Sequence, residues 1–296
     1  MPPTAATIYR PRSISRQRRT AAQMDDIRDA ICKVLAADHP MTVRQTFYQL
    51  TPRGVIEKTE AEYKKTVVRL LTEMRRRHII PFHWIADNTR WMRKPDTYDS
   101  MEQMLQVSQR TYRRSIWNDQ PFYVEVWLEK DALAGLLYPE TQKWDVPLMV
   151  IRGYSSVTFL HSAAEAIEAQ GKPAFIYYVG DHDPSGRDIT RAVEAGLKEF
   201  APRSQIYVTR IAVTEEQIEF WKLPTRPTKS SDSRSRSFTG DSVEVDSIPP
   251  AMLRLLVQDA IEVHIDKAAR ERTLMIEQKE RETMRRLFEG VGGDGR

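Results

Sequence analysis

A repeated alternation of apolar runs and helical segments most restricts how this chain can fold. After about residue 118, four segments each begin with an apolar or aromatic run and continue into a helical pattern. They are PFYVEVWLEKDALAGLL, VPLMVIRGYSSVTFLHSAAEAIEAQ, PAFIYYVGDHDPSGRDITRAVEAGLKEF and QIYVTRIAVTEEQIEFW. Strands that alternate with helices form a mostly parallel sheet covered on both faces, and such buried strands read as near-continuous apolar runs. The sequence therefore predicts an α/β domain over residues 119–265.

The residues before this domain have a different pattern. Residues 22–118 contain three helical segments, the first with apolar residues at helical spacing. Thr42 is placed to be the N-cap of the second helix, and Thr59 with Glu62 has the capping-box pattern at the start of the third. The aromatic segment PFHWIADNTRWMRKP follows and can form a hairpin. This order indicates a winged-helix DNA-binding domain, and a generic small helical domain is the alternative.

The composition indicates in which compartment the protein works, and it says little about which reaction the protein catalyses. The 296 residues include one cysteine, Cys32, so no disulfide can form within the chain, as is usual in a reducing compartment. No apolar run approaches the roughly 18 residues of a membrane span, and the basic N-terminus lacks the apolar core of a signal peptide. These features indicate a cytoplasmic protein with no membrane partner. Residues 266–296 read as a highly charged helix and a tail.

Positive charge is concentrated in two places, although the net charge is only +4. Residues 1–21 read as an extended basic arm without acidic residues, whose arginines are Arg10, Arg12, Arg16, Arg18 and Arg19. The second cluster ends the third helix and consists of Arg75, Arg76 and Arg77. Both clusters suit the phosphates of DNA. The alternatives are a solvated tail and an ordinary helix C-terminus, where cations are favoured anyway.

Acidic residues follow two of the predicted strands at the point where each strand ends. Glu129 comes after VEVWL, and Asp181 and Asp183 come after FIYYV. Ligands gather at the carboxyl ends of parallel strands, and alternate residues of an extended segment point the same way. Neighbouring carboxylates repel unless a cation is present, and Mg²⁺ takes one or two carboxylates together with water and phosphate oxygens. We therefore expect Mg²⁺ or Mn²⁺ at these residues; the alternative is that Asp183 or Ser185 only caps the next helix.

The segments VWLEKDAL, VIRGYSS and YYVGDHDPSGRDI together resemble the Toprim domain, the metal-binding fold of topoisomerases, primases and some nucleases. More narrowly, EKDAL, RGYSS and DHDPSG resemble the A subunit of topoisomerase VI and the related meiotic double-strand-break transesterase. The resemblance covers residues 22–265. It implies an N-terminal winged-helix domain followed by a Toprim-like, mostly parallel α/β domain, with Mg²⁺ held by Glu129, Asp181 and Asp183.

The segment VRQTFYQL places Arg44 and Tyr48 four residues apart, on one face of a helix. The tyrosine phenol is a weak nucleophile with a pKa of about 10, and a nearby guanidinium can hold a phosphate and favour the phenolate. RQTFY also resembles the catalytic motif of the same family, in which the tyrosine that matches Tyr48 attacks DNA. The alternative is that Tyr48 fills the rim of the core and Arg44 reaches solvent.

The resemblance implies a DNA-cleaving transesterase in which Tyr48 and Arg44 act with a metal at Glu129. Its product is a 5′-phosphotyrosyl link. In the family the tyrosine of one protomer works with the Toprim site of the other, so a homodimer that makes double-strand breaks and associates with the nucleoid is implied. The topoisomerase also needs a separate ATPase B subunit, and this chain has no G-x-x-x-x-G-K sequence followed by Ser or Thr. Two alternatives stay open: a Toprim nuclease with a structural tyrosine, and a DNA-binding subunit without turnover.

Overall fold

The computed structural model describes residues 19–86, 95–153, 155–226 and 241–292. Four arginines of the predicted basic arm lie outside the described residues: Arg10, Arg12, Arg16 and Arg18. Positions 87–94 of the predicted hairpin lie outside them as well.

The N-terminal part of the chain forms helices around a core of its own. The helical segments are α1 Ala21–Ala37, α2 Val43–Leu50, α3 Glu60–Glu62, a π-helical segment Tyr63–Val68, α4 Arg69–Arg76 and α5 Met101–Thr111. Thr42 forms a capping box with Gln45, so its prediction as an N-cap is confirmed. Thr59 accepts a hydrogen bond from the backbone of Glu62 and begins α3. Buried residues of the first helices, among them Ile31 and Leu71, pack together.

The part of the predicted hairpin that is described contains a 3₁₀ turn, Phe82–Trp84, and one isolated parallel bridge. The bridge joins Ile85 to Met41, with hydrogen bonds from Met41 N to Trp84 O at 3.1 Å and from Ala86 N to Met41 O at 3.0 Å. The winged-helix assignment itself stays a prediction.

The second part of the chain is a parallel α/β structure, as the alternating sequence pattern predicts. Its segments are β1 Tyr123–Leu128, α6 Ala134–Lys143, β2 Leu148–Val150, α7 Val157–Ala169, β3 Ala174–Val179, α8 Pro184–Phe200, β4 Ile206–Ala212 and α9 Glu215–Trp221. The four strands form one sheet in the order β2-β1-β3-β4. Each neighbouring pair is parallel, which confirms the α/β fold class.

Both faces of this sheet are buried by helices. Apolar residues of α6 and of α10, Pro250–Glu262, cover one face, where Leu137 and Leu253 join Val126 in a single core. Helices α7 and α8 cover the other face, where Ala164 and Val193 pack with the core around Trp127. Strands buried on both sides explain the continuous apolar runs in the sequence. The sheet therefore presents its functional side chains at the strand ends rather than on a face.

The chain continues after the sheet through a 3₁₀ turn, Val245–Ser247, into α10 and then α11, Lys267–Gly292. The charged helix predicted here is thus present, and it packs on the end of α5. Tyr112 donates a hydrogen bond to Glu280 Oε2 at 2.6 Å, and the Arg114 guanidinium bonds Glu280 Oε1 at 2.8 Å. None of the described helices is long and apolar enough to cross a bilayer.

Candidate active site

The carboxyl ends of β1 and β3 lie side by side, since the two strands pair in parallel with Leu128 opposite Val179. The residues that follow these strands therefore meet. Glu129 Oε2 accepts hydrogen bonds from the Tyr178 hydroxyl at 2.9 Å and from Asp181 N at 3.2 Å. The residue between strand and aspartate has to be Gly180, because a Cβ there would collide with the Glu129 carboxylate and the Tyr178 ring. Two of the three predicted metal ligands are in direct contact.

Asp183, the third predicted ligand, begins α8. Its Oδ1 accepts a hydrogen bond from Gly186 N at 2.7 Å, and Pro184 occupies the first helical position. The cap proposed as an alternative for Asp183 is therefore real. A cap uses one carboxylate oxygen, so it does not exclude a second role for the other oxygen.

Arg210 fixes the loop that carries both aspartates. Its Nη1 donates to Asp181 O at 2.9 Å, its Nη2 donates to Thr190 Oγ1 at 3.0 Å, and the guanidinium lies 4.8 Å from the centre of the Tyr178 ring. Burial lowers the pKa of Arg210, while Tyr178 and the nearby carboxylates oppose that shift. Sequence reasoning missed this residue; its only signal was an arginine inside the apolar strand QIYVTRIAV.

Lys130 joins the aspartate loop to the turn before α10. Its Nζ lies 2.9 Å from Asp181 Oδ1, 2.9 Å from Asp246 Oδ2 and 3.6 Å from Glu244 Oε2. Asp181 Oδ1 also accepts a hydrogen bond from Val245 N at 2.9 Å. Sequence reasoning did not identify Lys130, Glu244 or Asp246 as part of a site. Lys130, Glu244 and Asp246 form a cluster of ion pairs around Asp181.

Helix α2 docks on this same turn. At its N-terminus, Thr42 Oγ1 donates to Asp246 Oδ1 at 3.0 Å. Two residues further along, the Arg44 guanidinium donates from Nη2 to Glu244 Oε1 at 3.3 Å. Arg44 Nη1 also donates to Glu60 Oε2 at 3.1 Å. The predicted arginine is thus held between two carboxylates and does not extend freely into solvent.

Tyr48 lies close to these charges but is largely buried. Its side chain is only 5% exposed and packs edge-to-face against Phe47, with ring centroids 5.4 Å apart. Burial, together with the negative charge of Glu244, raises the pKa of Tyr48 to about 12; the cations Arg44, Lys130 and Arg226 oppose the shift. Tyr48 therefore does fill the core, as the structural alternative expected. Among the charged groups near it is Lys130, whose ammonium forms an ion pair with Asp181.

The predicted metal ligands can be tested against the chemistry of their oxygens. Within the described residues, no group of three Asp, Glu, His or Cys side chains is arranged to hold a metal ion. Glu129, Asp181 and Asp183 each use one oxygen in the contacts above, and the other oxygen accepts no hydrogen bond from the described part of the chain. Because Mg²⁺ takes few carboxylates and adds water and phosphate oxygens, this donor set fits the ion in its chemistry.

The arginines of the predicted basic regions are partly engaged, and Arg77 forms an ion pair with Glu73 at 3.2 Å. Arg19 donates to the buried Glu62 at 2.7 Å, and Arg75 donates from Nε to its own helix at Leu71 O, 3.2 Å away. The exposed Arg76 and Arg77 line a groove of about 380 Å³. That groove adjoins a second one of about 420 Å³, and the arginines that line the second are Arg19, Arg28 and Arg69.

Arg69 lines both of these grooves, so they form one arginine-rich surface on α1 and α4. Arg28 and Arg69 were not predicted, since each is an isolated arginine in the sequence and only packing of the two helices brings them together.

Comparison with known proteins adds nothing to this geometry, since the chain matches no protein-family model and no curated protein.

Proposed function

We propose that this protein is a DNA-cleaving transesterase of the topoisomerase VI A-subunit kind, in which Tyr48 is the nucleophile. Mg²⁺ or Mn²⁺ would be held by Glu129, Asp181 and Asp183. When bound, the ion supplies positive charge that stabilises the phosphate and its leaving 3′-oxygen. The remaining chemistry comes from side chains of the chain itself.

One observation supports this proposal above the others. The helix that carries the candidate nucleophile and the loop that carries the candidate metal ligands meet on one acidic turn. Thr42 and Arg44 contact this turn through Asp246 and Glu244, and Lys130 joins both of its carboxylates to Asp181. The acidic turn therefore fixes the tyrosine helix relative to the metal-ligand loop of the same chain.

Arg44 is placed to exchange one of its partners for a DNA phosphate. Its contact with Glu244 is buried, whereas the Glu60 side chain is more than half exposed. A hydrogen bond to an exposed carboxylate contributes little net free energy, so a phosphate can replace Glu60 while Glu244 still fixes the guanidinium. Arginine holds phosphate through two parallel hydrogen bonds. The scissile phosphate would then lie on the helix face that carries Tyr48.

The reaction exchanges one phosphodiester bond for another. The Tyr48 oxygen forms a bond to phosphorus, the bond from phosphorus to the 3′-oxygen breaks, the phenol proton passes to solvent and the 3′-oxygen takes up a proton. Burial holds Tyr48 in its neutral form, so ionisation has to accompany DNA binding, when cations and phosphate rearrange around the hydroxyl. Reversal of the same steps reseals the strand.

The arginine-rich surface on α1 and α4 is the region that we propose for duplex binding. Arginines that line a groove neutralise phosphates without reading bases, and Arg69 connects the two halves of the surface. By resemblance we further propose a homodimer that cuts both strands, association with the nucleoid, and a separate ATPase B-type subunit as a partner. Each of these partners can be tested independently of the cleavage chemistry.

A Toprim nuclease is the second candidate, and the burial of Tyr48 favours it. In that case the metal would activate water, and Tyr48 would be a core residue. Both candidates require the acidic residues, and they differ in the fate of the DNA ends.

Supercoiled plasmid separates the two candidates. The protein is incubated with plasmid and Mg²⁺, the reaction is stopped with denaturant, and samples are run with and without protease. The transesterase predicts cut DNA that enters the gel only after proteolysis, and no cleavage by Tyr48→Phe. The half-exposed Tyr138 provides a matched control, because Tyr138→Phe should cut normally. Free ends and a Tyr48→Phe protein that still cuts would establish the nuclease instead.

A further inference from the structure

The ammonium of Lys130 lies where oxygens from three carboxylates converge. Asp181, Glu244 and Asp246 are 8%, 4% and 2% exposed, and their nearest oxygens lie 2.9, 3.6 and 2.9 Å from Lys130 Nζ. They come from two separate segments, the loop after β3 and the turn before α10. An all-oxygen environment of buried carboxylates is what divalent cations prefer, yet here a side chain occupies it.

The charges around Lys130 balance only because of its ammonium. Arg44 and Arg226 form ion pairs with Glu244. Asp181 and Asp246, by contrast, have no ion pair in the described part of the chain except the one with Lys130. Without the ammonium, two buried carboxylates would lack a cation, and a buried carboxylate must then take up a proton or bind another cation.

Glu244 has one oxygen that is left without a hydrogen bond. Its Oε2 is buried and accepts none, although Arg44 Nε lies 3.0 Å away and Lys130 Nζ lies 3.6 Å away. The contact of Arg44 Nε with this oxygen is therefore electrostatic, whereas Arg44 Nη2 forms its hydrogen bond with the other oxygen, Oε1. This oxygen is the one that faces Lys130, so the lysine only partly satisfies the carboxylates that surround it.

We propose that the Lys130 ammonium takes the place of a second divalent cation at this site. The inference deepens the proposed function, which assigns a first cation to Glu129, Asp181 and Asp183. Two-metal sites place a second ion beside the first to share the charge of the reacting phosphate. A lysine supplies one fixed positive charge instead, and this charge stays when the metal ion leaves. The acidic turn and α2 then remain docked on Asp181 in the metal-free protein.

The number of Mn²⁺ ions bound per chain tests this proposal without any activity measurement. Isothermal titration calorimetry and the EPR signal of free Mn²⁺ give that number for four proteins: wild type, Lys130→Ala, Lys130→Arg and the double variant Lys130→Ala with Asp246→Asn. Lys130→Ala should bind one more ion than wild type, because a hydrated cation replaces the ammonium. Lys130→Arg keeps the charge and should match wild type. The double variant loses a ligand of the new site and should return to the wild-type number.

The proposal about Lys130 predicts the difference in bound Mn²⁺ between Lys130→Ala and wild type. The proposed function predicts the number of ions that wild type itself binds, so the two proposals can fail separately. A wild-type count of zero with a gain of one in Lys130→Ala supports the lysine and contradicts the metal at Glu129 and Asp183. A wild-type count of one with no gain does the reverse. If Lys130→Ala fails to fold in metal-free buffer, Mn²⁺ should restore its circular dichroism, since the ion supplies the missing charge. An unfolded variant that Mn²⁺ does not restore would overturn the proposal.

Discussion

Replacing Tyr48 by phenylalanine isolates the effect of one buried hydroxyl. The ring keeps its packing against Phe47, and the hydroxyl forms no hydrogen bond among those that join the described residues, so no bonded partner is left behind. A net hydrogen bond contributes about 1 kcal/mol, and none is lost here. At pH 8 the free energy of unfolding of Tyr48→Phe should therefore stay within about 0.5 kcal/mol of wild type.

The difference between the two proteins should grow at high pH. Burial and Glu244 raise the pKa of Tyr48 from 10 to about 12, so the unfolded chain loses this proton first. The stability that depends on neutral Tyr48 is fully present below pH 10 and is lost as the pH rises through 12. At pH 11 the unfolded phenol is mostly ionised and the folded one mostly neutral, which costs wild type about 1.4 kcal/mol. Tyr48→Phe has no such loss.

Urea unfolding followed by tryptophan fluorescence measures this difference at pH 8 and pH 11. Wild type should lose about 1.4 kcal/mol more than Tyr48→Phe between the two values, since the other tyrosines are common to both proteins and cancel. Tyr138→Phe controls for the loss of a hydroxyl from a half-exposed ring. Equal losses in wild type and Tyr48→Phe would refute the buried, neutral phenol and with it the requirement that DNA binding triggers ionisation.

Three further variants test other parts of the proposed function and of the structure. Asp183→Asn keeps the cap of α8, because asparagine caps as well as aspartate, so the melting temperature should hold while Mg²⁺-dependent plasmid cleavage disappears; retained cleavage would remove this ligand. Replacing Arg69 and Arg76 by alanine should flatten the slope of log K against log salt for DNA binding by about 1.8, and an unchanged slope would exclude the arginine-rich surface. Burial raises the pKa of Glu125 above 4.5, so the stability linked to its neutral form is present below pH 4.5 and lost as the pH rises. Glu125→Gln should therefore lose less stability in urea unfolding between pH 4.5 and 8 than wild type or the exposed control Glu199→Gln, and an equal loss would contradict the buried carboxylate.

Local pattern determines much of the scaffold. The runs YVEVWL and AFIYYV are strands because they are continuous, apolar and bounded by turns. Thr42 begins its helix because its side chain caps a free backbone N–H. The same local rule explains why Asp183 could be interpreted in two ways. A carboxylate at a strand end is both a good cap and a good metal ligand. The sequence alone therefore does not show which of the two roles Asp183 has.

The acidic turn shows where local pattern stops being informative. Asp246 and Glu244 meet Thr42 and Arg44 across 204 and 200 positions of the chain. They follow a polar segment without periodicity, so nothing nearby in the sequence indicates that both are almost fully buried. Their burial depends on the packing of α2 against the end of the sheet. The role of Lys130 could not be predicted from the sequence either. A lysine after a strand indicates a functional site only when its three carboxylate partners are known, and the fold alone brings them together.

The central claim is that Tyr48 becomes covalently joined to DNA. Mass spectrometry tests it directly on protein that has reacted with plasmid and Mg²⁺, then been denatured, treated with nuclease and digested with trypsin. The peptide of residues 45–53 contains Tyr48 as its only tyrosine. The account predicts that this peptide carries a nucleotide through a 5′-phosphate, and that Asp183→Asn yields only the unmodified peptide. Cleaved plasmid with an unmodified 45–53 peptide in the wild-type sample would contradict the account.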